Sequence, residues 1–504
     1  MGSSDSLSVR TPAVDPEVMA ELTEAESVRR LVDRFGFGAG GDALADLQAA
    51  GYAAAVDALL APNGPDAGAA ATPIPRLTPP DRPERTKKRK AGRTGETAPS
   101  DDPTEADQES GTTADRAERK VYRQALKAQQ LTATRWWLDR MVRVQQPTRE
   151  KLTWFWHRHF ATSAQKVRVA GLMLNQNETL RSHALETFGP LAQAMIVDPA
   201  MLIWLDGNDN TAKAPNENLA REFMELFALG HGQFSEADVK EAARALTGWK
   251  VNRQTGAAQL RPKQHDDGSK TVLGRTGDLT AEQLVDALLG QPASATFVIG
   301  RLWFRLVGPQ PPSDATRDRL LAAYGTERDL TATLRAIAAA PELRDPATSL
   351  VKQPVEWVVG TARALGVVPS SLPAPARKKA SKKPDGTDET GAEKTGTTRL
   401  IAGLRGLGQV PFRPPSVGGW PAGGAWLTTA AAASRLSLAR LLAGAADLTE
   451  VDSTSTRNRT EAIRRLLGVD AFSARTADAI AAVADRPADA VALAAVSPEY
   501  VVSR

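Results

Sequence analysis

Two long tracts in this chain have almost nothing to bury. Residues 62–116 and 369–397 are dominated by Pro, Gly, Thr and charge, and include "KKRK" and "RKKASKK". Such segments cannot offset their ordering entropy by apolar burial, so both are expected to be disordered insertions. They divide the chain into an N-terminal piece (16–61, after a disordered 1–15), a central piece (117–368) and a C-terminal piece (398–504). All three are read as parts of one helical core.

The remaining segments carry helical periodicity. Helices are expected over 16–34, 117–146, 148–160, 167–188, 190–205, 216–229 and 235–248. Others follow over 281–289, 293–306, 313–323, 328–339 and 347–365, and then over 398–407, 428–445, 456–467, 474–484 and 487–496. Only 250–276 lacks the period, and a minor β-hairpin is expected there. The composition agrees. Aromatic residues make up 5% of the chain and Ala, Leu and Arg are abundant, which disfavours a β-sandwich. The fold class is therefore all-α: one large multi-helix domain with a minor β-hairpin and two disordered insertions.

Several function classes drop out. The chain has no cysteine, so disulfides, thiolate metal sites and cysteine nucleophiles are excluded. No Gly-x-Ser-x-Gly elbow, phosphate-binding loop or dinucleotide fingerprint occurs. Net charge is only +4 and is concentrated in the two tracts, so no specific nucleic-acid face is expected. No apolar run is long enough to span a membrane. "MGSSDSLSVR" lacks an apolar signal region, which points to the cytoplasm while leaving envelope association open. It does fit the short M-G-x-x-x-S myristoylation pattern.

Polar chemistry gathers in one fifth of the chain. All five histidines lie between His157 and His265. In "PNENLAREFMELFALGHG", Asn218, Arg221, Glu222 and Glu225 fall within roughly a 100° arc of a helix. Leu219, Phe223, Leu226, Phe227 and Gly230 fall opposite. A solvated face with an Arg221–Glu225 pair at i,i+4 explains this pattern. So does a ligand site in which Glu222 and Glu225 offer oxygens to a divalent cation or a substrate. Upstream, Asp206, Asn208, Asn210 and Glu217 occupy positions 1, 3, 5 and 12 of a calcium-loop spacing. Thr211 stands where that loop needs Gly, Lys213 where it prefers an apolar residue, and Pro215 is unusual, so a helix-capping Asn/Asp turn is the competing reading.

In "FWHRHF", His157 and His159 are two residues apart and point to different sides of a helix. Burial with hydrogen bonds is the commoner outcome for such residues. In "HDDGSK", His265 and Asp266 suit either acid–base work or an ordinary turn. Trp420 and Trp426, in a Gly/Pro-rich loop at 408–427, are expected to cover the core. The sharpest expectation is that Asn218, Glu222 and Glu225 face a polar cleft with His157 or His159, with Asp206 or Asp266 as further metal ligands.

Five motifs occur in order: "RLVDRFGFGAG", "LTWFWHRHFATS", the 198–249 stretch, "HDDGSKTVLG" and "GQVPFRPPSVGGWPAGGAWLT". Together they resemble the bacterial family called domain of unknown function 1800 (DUF1800), over roughly 25–445. The resemblance implies a mostly helical protein with no assigned catalytic residues. It also implies a genomic neighbour, domain of unknown function 1501 (DUF1501), which is similar to sulfatases and alkaline phosphatases, and hence a shared pathway or complex. Asp198 stands where the family usually has His, so a His there is not needed for any ligand role. Two functions follow as expectations. One is a divalent-metal or small-ligand site, hydrolytic in its stronger form. The alternative is a non-enzymatic adaptor that binds a protein partner such as the DUF1501-like neighbour.

Overall fold

The computed structural model describes residues 21–62, 64–83, 113–373 and 396–503. The fold is all-α with three two-stranded ribbons among these residues. The disorder expected of the two tracts falls largely on residues outside the described set. Residues 64–83, however, are described and lie against the central piece. Asp66 caps a short helix at Ala67–Ala70, and the Thr72 carbonyl accepts from Trp136 Nε1 at 3.0 Å and from Arg140 Nη1 at 3.1 Å. Composition missed this because the segment is held by a few scattered groups: backbone carbonyls, the Asp66 carboxylate on the Gln145 and Gln146 N–H groups, and Ile74 and Leu77 packed on the core.

Helix ends follow the capping chemistry in the sequence. Helix α1 (Glu24–Phe35) starts at a Thr23–Glu26 capping box, and Glu236–Ala245 starts at the Ser235–Asp238 box. The helix expected at 190–205 is two helices, Phe188–Ile196 and Pro199–Trp204. Pro199 cannot continue the first of them, and Asp198 caps the second. The stretch 250–276 holds two antiparallel ribbons, Trp249–Val251 with Ala258–Leu260 and Lys270–Val272 with Arg275–Gly277. A third pairs Leu350–Val351 with Val502–Ser503, and the helix expected from 347 begins only at Pro354.

The apolar side chains form two clusters. One is built around Phe160, Phe188, Phe223 and Phe227, the other around Trp137, Trp154, Trp357 and Trp420. Helix α2 (Pro147–His159) runs between them and is buried almost all round. Trp154 faces the second cluster, while Phe155 and Trp156 face the first. No single helix among the described residues is long and apolar enough to cross a membrane. The bent pair Gly41–Ala50 and Tyr52–Leu60 passes on composition, but it turns by 116° and packs on α1.

Candidate functional site

The two histidines of α2 point into opposite cores, as their spacing requires. His157 is enclosed by the rings of Trp137, Trp154, Phe412 and Trp420. Its Nε2 accepts the Phe412 backbone N–H at 3.1 Å, so the ring proton sits on Nδ1. His159 lies among Phe155, Trp156, Phe160 and Phe227. Its Nε2 donates to the Phe227 carbonyl at 2.9 Å, and its Nδ1 is buried without a partner. Burial pushes each imidazole down to about 3, helped at His157 by Arg158 and at His159 by Arg301. Both are neutral core groups, and among the described residues neither is paired with a carboxylate.

The loop with calcium-like spacing is held by internal bonds. Asp206 binds Lys166 Nζ at 2.6 Å and the Asn218 amide at 3.3 Å. The side-chain oxygen of Asn208 accepts the Val251 N–H at 2.8 Å. Asn210 is fully buried, donating to the Ala243 carbonyl and accepting from the Asn216 N–H. Glu217 pairs with Arg221 at 3.0 Å. Each of these side chains thus has a partner within the protein, and Asn216 accepts the Asn218 N–H in the turn before the helix. The "HDDG" pair is likewise a clasp. Asp266 grips Arg244 through both oxygens at 2.8 and 3.1 Å, and His265 Nδ1 donates to the Thr247 carbonyl at 2.9 Å. Among the described residues, no three His, Asp or Glu side chains gather closely enough to hold a metal ion.

The helix of the central motif departs from the expected one. Asn218–Glu222 is α-helical, but Phe223–Ala228 is a π-helix, in which the Leu229 N–H reaches the Met224 carbonyl. Arg221 does not pair with Glu225. It binds Glu217 one turn back and Glu236 across the turn, at 3.0 and 2.7 Å. Glu225 instead meets the exposed His231 at 3.0 Å. Glu222 is half-buried, and burial and then the Glu225 charge raise its carboxyl above the usual range. Phe223 and Phe227 are buried as expected, whereas Leu226 is only half-buried.

Two cationic features were missed by motif reading. One is a cleft of about 1890 Å³, lined among the described residues by ten Lys or Arg and one acid, Asp81. Its wall is the helix Thr113–Arg143, from which Arg116, Lys120, Arg123 and Lys127 project at steps of four, three and four residues, all exposed. That spacing puts them on one helix face. Leu126, Ile401 and Val410 line it too. The signal lies in "RAERKVYRQALK", where basic residues recur at helical spacing. The second feature surrounds Arg158. Arg158 is buried, with Nη2 donating to the Trp420 and Pro421 carbonyls at 3.0 and 3.2 Å and with Nε and Nη1 unpartnered. Arg301 and Arg305 come from Pro292–Leu306, a helix without a single acid.

No match was found among curated proteins or solved structures. The order of the motifs, the helical architecture that carries them and a family match over residues 30–502 agree, and the chain belongs to the family described as protein of unknown function (DUF1800).

Proposed function

We propose that this protein is a helical binding protein that docks an acidic, partly apolar polypeptide segment of a partner in the basic cleft beside Thr113–Arg143. The observation that carries this reading is the stripe of Arg116, Lys120, Arg123 and Lys127, none of which is paired among the described residues. Like charges on one helix face repel each other and are stabilised by a partner of opposite sign. The apolar residues among them favour a peptide with Glu, Asp and Leu over a nucleic-acid backbone. The test is fluorescence anisotropy with a labelled Glu/Leu peptide, a Lys/Leu peptide and an oligothymidylate of similar length. Binding of the Glu/Leu peptide should weaken with salt and be lost in Lys120→Glu/Arg123→Glu/Lys127→Glu. Equal or tighter binding of the oligonucleotide replaces the reading with a nucleic-acid one, and no binding of either ends it.

A second reading is supported by Glu222. This half-buried carboxyl has no hydrogen bond among the described residues and stands beside Glu225 and His231 at a π-helix, a feature frequent at functional sites. A carboxyl whose pKa is raised by burial and by a neighbouring carboxylate suits general acid–base work in hydrolysis. Its test is turnover of p-nitrophenyl phosphate and sulfate esters with and without added divalent ions. Activity that disappears in Glu222→Gln with the fold intact supports it, and absence of activity in the parent protein sets it aside.

A further inference from the structure

Two residues that line the basic cleft hold backbone conformations that a side chain disfavours. Arg168 ends the short helix Ala164–Val167 at φ +64° and ψ −37°, and the Val169 N–H reaches back across it to the Val167 carbonyl at 2.8 Å. This is the rarer of the two three-residue turns, and it is strained for any residue with a Cβ. Phe412 is also held at φ +64°. A turn needed only to change the direction of the chain would be served by glycine, which adopts either backbone freely. This chain has an arginine at the first position and places both residues against the cleft.

Such strain persists only where the surroundings over-determine it, and here they do. Gln130 Nε2 donates to the Ala164 and Arg168 carbonyls, at 3.0 Å each, and ties the turn to the helix Thr113–Arg143. The Ala164 N–H donates to the Phe412 carbonyl at 2.8 Å, and the Phe412 N–H donates to the buried His157 Nε2 at 3.1 Å. Turn, loop and cleft wall are thus fastened to one another and to the core. Arg413 follows Phe412, lines the same cleft and is half-buried, as Arg168 is. The Arg413 side chain has no hydrogen-bond or ion-pair partner among the described residues, and the one acid lining the cleft among them, Asp81, is exposed. The stripe of Arg116, Lys120, Arg123 and Lys127 differs: it is exposed, and it acts on a partner from a distance.

We infer that Arg168 and Arg413 form a fixed anchor in the cleft that takes a side-chain carboxylate of the docked segment, and that the strained backbone at Arg168 and Phe412 is kept to present it. A guanidinium matches a carboxylate with two parallel N–H donors, and little ordering is lost on binding when its backbone is already fixed. The anchor rests on the docking function proposed above and adds to it a division of labour. The exposed stripe speeds encounter, and the anchor sets how long the segment stays.

The test is stopped-flow anisotropy on the full chain with the labelled Glu/Leu peptide, acetylated and amidated so that its side chains carry its only carboxylates. Arg168→Lys/Arg413→Lys keeps both charges and removes both forks. Dissociation should become at least about tenfold faster, while the association rate and its salt dependence stay within about twofold of the parent. Lys120→Glu/Arg123→Glu/Lys127→Glu should act the other way, slowing association and flattening its salt dependence. Arg168→Gly separates the anchor from the fold. Glycine accepts the turn, so Tm should stay within about two or three degrees of the parent while dissociation speeds up. If the parent binds the peptide and the double lysine variant releases it at the parental rate, the anchor is overturned and the docking function stands. A larger fall of Tm in Arg168→Gly makes the turn a structural element and overturns the anchor as well. A parent that binds no peptide overturns both.

Discussion

The Nε2 of His159 lies 2.9 Å from the carbonyl oxygen of Phe227. This bond ties the end of one helix to the last turn of the π-helix, where carbonyls lack partners within the helix. His159→Phe fills the same space but leaves the carbonyl unmet in an apolar core. It should cost roughly 1–3 kcal/mol, the range for one orphaned buried group. Chemical denaturation with matched slopes is the check, and an unchanged midpoint would mean that the carbonyl finds another donor.

Acid should destabilise the protein from near neutrality. His157 and His159 are pushed down to about 3 by burial, while in the unfolded chain they titrate near 6.5. Between these values the unfolded state binds more protons, so stability falls as pH falls, by about 1.4 kcal/mol per unit for each group. Asp198 acts in the opposite sense. Burial raises it to about 7 from 3.8, against its bonds to the Met201 N–H and Gln176, so over that range its contribution to stability grows as pH falls. Two histidines outweigh one carboxyl in the shared window. Asp198→Asn removes the offset and should steepen the acid loss in urea midpoints taken between pH 6.5 and 4. A shallower loss would reverse the assignment.

Glu150 should be the most costly carboxylate to remove. It is buried, and its oxygens take Arg181 Nε at 2.6 Å, Arg140 Nε at 2.5 Å and the Trp137 indole N–H at 3.0 Å. Burial alone would raise its pKa, but Arg181 and then Arg140 hold it below the usual range. Glu150→Ala strands two cations, at a cost of about 3–5 kcal/mol. Loss of soluble protein, or a fall of many degrees in Tm, is the expected readout; a Tm within two or three degrees of the parent is the contrary one.

Gly419 should not tolerate a side chain. Its φ is +81°, and a Cβ there would stand 2.9 Å from the Arg158 carbonyl oxygen. Gly419→Ala should therefore cost about 1–3 kcal/mol from backbone strain and contact together. Scanning calorimetry should read this as a lower Tm, and a Tm equal to the parent's would overturn it.

The helical framework was legible where local chemistry decides it. Ser235 with Asp238 marks a helix start that the structure shows, whereas the start at Asp198 and Pro199 falls inside the single helix expected over 190–205. The ribbon of Leu350–Val351 with Val502–Ser503 was not legible, because no local pattern announces a pairing over 150 residues. The site residues divide in the same way. That His157 and His159 face opposite ways follows from helix geometry. Arg221 was assigned to Glu225 because both lie on one turn, but Glu217 is equally near and Glu236 comes back across the turn. Nor does amphipathic periodicity distinguish a π-turn from an α-turn over five residues, so Leu226 was placed more deeply than it sits. Arg158 was passed over because its neighbours are histidines. An arginine between two buried residues, with no acid on its helix one turn away on either side, was the available signal.

The ribbon at residue 503 also sets an order of events during synthesis. Arg34 donates its Nε to Ser503 Oγ at 3.0 Å and its Nη2 to the Ser503 carbonyl at 2.8 Å, a separation of 469 residues. At ordinary rates of translation the first helix waits on the order of a minute for that partner. Until then its buried cation has only the carbonyls of Leu306 and Val307. Ribosome-bound chains halted before Val502 should therefore hold α1 loosely, open to protease and to chaperones, and they should tighten in one step once residue 503 has cleared the exit tunnel.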